Sequence, residues 1–87
     1  MKIKEGFIIR NVAGNNVVVP IGEATLDFNG MMNLNETGAF LFEQMLEGTT
    51  REKLINSVMS EYDIDEQTAA DDVDAFIEKV KGEDLFE

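Results

Sequence analysis

The chain has no cysteine, no histidine and no tryptophan, and it has a single proline. Without cysteine there is no disulfide framework, and secretion is not implied. Without histidine the usual proton shuttle near neutral pH is missing, and with cysteine absent too, both soft metal ligands are gone. Cations are scarce as well: seven Lys and Arg stand against eighteen Asp and Glu, a net charge of −11 over 87 residues. Lys2, Lys4, Arg10, Arg51, Lys53, Lys79 and Lys81 are too scattered to form a phosphate-binding stripe, so neither nucleic acid nor an anionic membrane is an expected partner. Long apolar runs are absent. Met1 to Arg10 does not have the form of a signal peptide and no stretch is long enough to span a bilayer, so the expected location is the cytoplasm.

What is present is an ordinary apolar fraction, 44%, in a chain long enough for one domain, residues 1–87. A domain of this size has a small core and a stability of only a few kcal/mol. The acidity favours solubility and also suits a partner with a basic face.

The first third has the pattern of strands. Phe7 to Val12 is apolar and β-branched, Ala13-Gly14-Asn15-Asn16 is a turn cluster, and Val17-Val18-Val19 runs to Pro20, which together predict a β-hairpin. Ile21 to Gly30 mixes apolar and polar residues and closes in Asn-Gly, a turn signal, before a short third strand over Met31-Met32-Asn33-Leu34. Three helices follow. Asn35 is a good N-cap for the first, which runs to about Leu46 and carries too many apolar residues for a surface helix. Gly48 is expected to end it as a left-handed C-cap. Thr49-Thr50-Arg51-Glu52 matches a capping box for the second helix. Asp65 caps the third, which runs from Glu66 to about Lys81 with Ala69, Val73, Phe76, Ile77 and Val80 on one stripe. The order β-β-β-α-α-α predicts an α+β fold of the winged helix-turn-helix kind, a three-stranded antiparallel sheet followed by three helices.

Chemistry is hard to find. Ser57 and Ser60 have no visible activating base. Asp63-x-Asp65-x-Gln67 starts like a calcium loop, but Thr68 stands where the turn glycine belongs and Asp74 where the glutamate belongs, so the segment is better explained as a turn and an N-cap. Asp71, Asp72 and Asp74 fan out over more than 100° of helix and cannot close on one ion. No catalytic residue, metal or cofactor is expected. Gly38 is the exception among glycines that mostly fall at turns and helix ends; its place in the first turn of a helix points to a neighbouring backbone packed close against it, with a close ligand as the less favoured alternative. A DNA-reading winged helix is the rival from another class, but its recognition helix would carry Glu66, Asp71, Asp72, Asp74 and Glu78 against Lys79 and Lys81.

The segment Gly30-Met31-Met32-Asn33-Leu34-Asn35-Glu36-Thr37-Gly38-Ala39, with its Leu-Asn-x-Thr core, is the most distinctive of the chain. Together with Glu47-Gly48-Thr49-Thr50, Tyr62-Asp63-Ile64 and Ala70 to Ile77, in this order and spacing, it resembles the PqqD-like family, the small proteins of pyrroloquinoline quinone biosynthesis and their relatives. The resemblance runs from about Phe7 to Phe86; the ending Gly82-Glu83-Asp84-Leu85-Phe86 departs from the Gly-Leu-Leu-like close of the relatives. It implies a RiPP recognition element, a non-catalytic peptide chaperone. Such a domain binds the leader of a ribosomally made precursor peptide and presents its core to a modifying enzyme, expected to be a radical SAM protein. The peptide would add as an antiparallel strand at the third strand, against the third helix. On this reading Met31, Met32, Asn33 and Leu34 meet the peptide, with adaptable methionines beside an edge rich in unpaired backbone groups. The far wall is the helix edge Asp72, Phe76 and Lys79, with Lys79 able to pair a peptide carboxylate; the opposite edge, Ala70, Asp74 and Lys81, is a comparable candidate. A small structural subunit of an enzyme complex is a third reading. A homodimer through the edge strand is open too.

Overall fold

The computed structural model describes residues 1–26 and 32–87. Its elements are β1 (Phe7–Val12), β2 (Asn15–Pro20), a 3-10 turn (Gly22–Leu26), β3 (Met32–Leu34), α1 (Glu36–Glu47), α2 (Arg51–Tyr62) and α3 (Glu66–Gly82). The sheet is antiparallel in the order β1-β2-β3, so β3 is an edge strand. This is the α+β, winged helix-turn-helix arrangement that the order of elements predicts. The Asn-Gly turn and Met31 lie outside the described residues.

The hairpin turn is shorter than the polar cluster suggests. Only Ala13 and Gly14 are in it, both with positive φ (53° and 84°), and Asn15 and Asn16 already belong to β2. Two left-handed residues match the twist of the flanking strands, and the Asn11 side-chain oxygen accepts from the Gly14 N–H (3.2 Å). Of the mixed segment after Pro20, Gly22–Leu26 forms the 3-10 turn, and the Ile21 N–H ties its start to the residue before β1 by donating to the Gly6 carbonyl (2.7 Å).

Side-chain caps fix where each helix starts. Asn35 accepts from Gly38 N–H (2.7 Å), Thr50 from Lys53 N–H (3.2 Å) and Asp65 from Thr68 N–H (2.8 Å). The helix ends differ from expectation. Gly48 has φ 101° and ψ 132°, positive but outside the left-handed helical well, because the chain turns away to meet the N-terminus: the Thr49 N–H donates to the Met1 carbonyl. Helix α3 keeps Gly82 as its last residue, and the left-handed position falls on Asp84 (φ 56°).

Helix α1 is central, with Leu41, Phe42 and Met45 essentially without exposure; Leu54 and Val58 of α2 and Ala69, Val73 and Val80 of α3 join them. The remaining face of the core is closed by the termini. Ile3 and Leu85 are buried, Ile3 and Phe86 form an antiparallel bridge, and the Lys4 N–H donates to the Leu85 carbonyl (2.8 Å). The divergent C-terminal segment is therefore docked. Among the described residues no helix is long and apolar enough to cross a membrane.

Candidate functional site

The hydrogen-bond phase of the sheet determines what β3 offers at its edge. In an antiparallel pair, residues that exchange both backbone bonds alternate with residues that exchange none. The Ile21–Gly6 bond makes Phe7↔Pro20 a non-exchanging pair, so Ile8↔Val19, Arg10↔Val17 and Val12↔Asn15 exchange. With residues 15, 17 and 19 of β2 committed to β1, residues 16 and 18 face β3. Asn16↔Leu34 and Val18↔Met32 then exchange, and Asn33 between them turns its N–H and C=O away from β2 to the open edge. The side chains alternate the other way: Met32 and Leu34 are buried and Asn33 is exposed. One contact reaches the edge from outside the sheet. The Lys79 ammonium of α3 donates to the Asn33 carbonyl (3.1 Å).

Beside this edge runs a groove of about 460 Å³, lined by Leu34, Asn35, Thr37, Gly38 and Leu41 on one side and by Asp72, Ala75, Phe76 and Lys79 on the other. Leu34, Leu41 and Phe76 form an apolar floor, and Asp72 and Lys79 are the charged residues of the rim. Seven residues of helix place the backbone positions of these two residues roughly 10 Å apart along the axis. Asp72 makes no ion pair or side-chain hydrogen bond among the described residues.

The close approach of α1 to α3 at this groove depends on Gly38. A Cβ there would stand 3.2 Å from the Phe76 ring and 3.1 Å from the Asn35 side-chain oxygen that caps the helix. Glycine at this position is the sequence signal for the groove's closest approach. The residues that sequence reasoning did not place at the site, Asn35, Thr37, Gly38, Leu41 and Ala75, join it because the start of α1 faces the Asp72–Lys79 stretch of α3 across the groove.

Of the residues singled out from sequence, Leu34, Asp72, Phe76 and Lys79 line one groove, and Asn33 presents its backbone at the edge. Met32 faces the core at 5% exposure, with its backbone committed to β2. Met31 lies outside the described residues. The opposite edge of α3 is engaged elsewhere. Arg51 grips Asp74 through two bonds (2.7 and 2.9 Å), and that guanidinium holds the Asp74 carboxyl below the usual carboxylate range. Lys81 lies near Glu78 (3.9 Å), and Ala70 packs against the core. The acidic cluster is dispersed too: Asp71 accepts from the Gln67 side chain, Asp74 from Arg51, and Asp72 lines the groove.

Fold and groove together define a small winged-helix-type domain with an open strand edge beside an apolar cleft. Two solved structures share the fold. One is TbiB1 in complex with the TbiA(beta) leader peptide: TM-score 0.76, 20% identity, covering 100% of this chain and 95% of that one. The other is lasso peptide synthetase B1 complexed with the leader peptide: TM-score 0.70, 17% identity, covering 93% and 89%. No curated protein matches the chain. The family model for coenzyme PQQ synthesis protein D (PqqD) matches residues 16–85, and the chain belongs to the PqqD family.

Proposed function

We propose that this chain is a non-catalytic recognition element that captures the leader segment of a ribosomally made precursor peptide and presents it to a separate modifying enzyme. The peptide adds as an antiparallel strand at β3 and lays side chains into the groove against α3. The observation that carries this reading is the outward-turned backbone of Asn33 directly beside the cleft floored by Leu34, Leu41 and Phe76. A strand placed there satisfies edge groups that otherwise need solvent, and every second residue points into the cleft. PqqD family membership supports the reading, as do two neighbours of the same fold that were solved with leader peptides. The site residues in this reading are Asn33 (backbone), Leu34, Asp72, Phe76 and Lys79, joined by Thr37, Gly38 and Ala75. Met32 contributes by holding the edge in place from beneath, since its side chain is buried.

The partner enzyme expected on the strength of the family is a radical SAM protein, and the expected location is the cytoplasm. DNA reading is disfavoured, because Glu66, Asp71, Asp72, Asp74 and Glu78 on α3 would meet phosphates. The test is a backbone-amide NMR titration with the leader halves of precursor peptides encoded beside this chain. Shifts gathered at Asn33, Leu34, the first turn of α1 and the Asp72–Phe76–Lys79 edge support capture in the groove. A well-folded sample in which no such peptide moves these amides contradicts it. An enzyme that binds this chain equally well without the leader would instead indicate a structural subunit.

A further inference from the structure

The ammonium of Lys79 has eighteen carboxylates in the chain to choose among, yet it makes no ion pair among the described residues and bonds a backbone carbonyl. The carbonyl it bonds is that of Asn33, the acceptor an added strand needs first. A lysine is also the usual guard of a sheet edge, because a charge cannot be buried under a second strand without a partner. We propose that Lys79 gates the β3 edge. It caps the Asn33 carbonyl in the free protein and is displaced by the incoming strand. The released ammonium then pairs a carboxylate at one defined position of that strand. The proposal rests on strand addition at β3 and specifies the peptide that strand addition accepts.

The position follows from register. The peptide residue opposite Asn33 exchanges both bonds with it and points to the same outer face of the sheet as the Asn33 side chain. Its two neighbours lie opposite Leu34 and Met32 and point toward α3. In an antiparallel strand the residue opposite Leu34 comes first in the peptide and the one opposite Met32 comes last. The first faces the floor formed by Leu34, Leu41 and Phe76, so it is apolar. The last lies toward the Lys79 end of α3, since Lys79 already reaches back to Asn33. The accepted core is therefore apolar, any residue, then Asp or Glu. In a domain with net charge −11 an acidic peptide is repelled in general, so one local cation makes the choice of that single carboxylate sharp.

Two arms test this, both with Lys79→Met, which keeps the apolar stem and removes the ammonium. In the free protein the Asn33 carbonyl carbon and the following Leu34 amide nitrogen are expected to shift in the variant, reporting the uncapped carbonyl; unchanged resonances overturn the gate. In the second arm, short synthetic extended peptides containing Leu-Ser-Glu, Leu-Ser-Gln or Leu-Ser-Lys are titrated into both proteins. The wild type is expected to bind the Glu peptide about fivefold more tightly than the Gln peptide. The variant is expected to bind those two alike, and to bind the Gln peptide more tightly than the wild type does. Binding that moves the Asn33 amide but shows no charge preference, or the same preference in the variant, overturns the gate and leaves strand addition standing. Binding that leaves the Asn33 amide unmoved overturns both. The failure of all three peptides to bind either protein overturns the accepted core, and strand addition is then decided by the leader titration alone.

Discussion

At the C-terminal end of α1, residues 1–4 lie between that helix and the C-terminal tail. The Ile3 N–H donates to Met45, Lys4 to Leu85, and Glu87 to Lys2, all through backbone carbonyls, while Ile3 and Leu85 are buried beneath them. At the N-terminal end of α1, β3 closes the sheet with its Asn33 backbone turned outward and, among the described residues, met there by the tip of Lys79. Both places offer an extended segment somewhere to pair beside an apolar floor. The first is filled by the chain itself and serves stability. The second is left open beside a cleft, and filling it is the task of a partner. The free energy of the first is part of folding, whereas that of the second is available for binding.

If the two ends do different work, substitutions at them should separate stability from peptide affinity. The largest effect is expected at the laced end. Leu85→Ala removes a fully buried side chain and should cost about 2–5 kcal/mol in urea unfolding, while leader affinity of the folded protein stays unchanged. A parallel loss of affinity by the folded variant would tie the two ends together. At the open end, Ala75 is exposed and lines the groove, so Ala75→Trp fills the cleft without disturbing the core. It should weaken leader binding by about tenfold or more, roughly 1.4 kcal/mol, with the urea midpoint unmoved. This variant is preferable to an aspartate at Met32 or Phe76. Those side chains are 5% and 9% exposed, and a charge there would unfold the domain rather than test the site.

Asn35 combines both kinds of work at one residue, since it caps α1 and lines the groove. Asn35→Ala should lower stability by about 1 kcal/mol through the lost cap and should also reduce peptide affinity, as α1 shifts against Phe76. The smallest effect is one of pH. Accepting the Thr68 N–H holds the Asp65 carboxyl below its ordinary value of 3.8. A depressed carboxylate contributes stability that is present above the unfolded value and is lost as pH falls through the folded one. Asp65→Asn keeps an acceptor at the cap, so the variant should lose less stability than the parent below about pH 4. Urea melts at pH 5 and pH 3 measure this, and equal losses would remove the Asp65 cap from the acid response.

How legible each region was in the sequence follows from the range of its interactions. The helix starts could be read within a residue because capping side chains announce them locally: Asn35 and Asp65 as expected, and Thr50 in place of Thr49, so that the expected capping box is read one residue early and Lys53, not Glu52, stands third in α2. The third strand and Gly38 also carried local signals, and with them the opening of the groove. The lacing of residues 1–4 to the tail could not be read, because Ile3 and Phe86 are brought together only by the completed fold. The choice between the two edges of α3 was hidden for the same reason. Asp72, Phe76, Lys79 and Ala70, Asp74, Lys81 have similar helical spacing, and which of them faces α2 is set by how the buried stripe Ala69, Val73, Phe76 and Val80 docks, with the Arg51–Asp74 pair marking the second edge as the one beside α2. The segment after Pro20 mixed its apolar and polar residues without a clear period, and a 3-10 turn carries little periodic signal to find.

The central claim is that a peptide completes the sheet at Asn33, and amide hydrogen exchange at that residue tests it most directly. In the free protein the Asn33 N–H should exchange fast for a strand residue, because it is turned to the open edge. Saturating leader peptide should slow it at least as strongly as any other amide of β3. Peptide binding that leaves Asn33 exchange at its free rate would contradict the account.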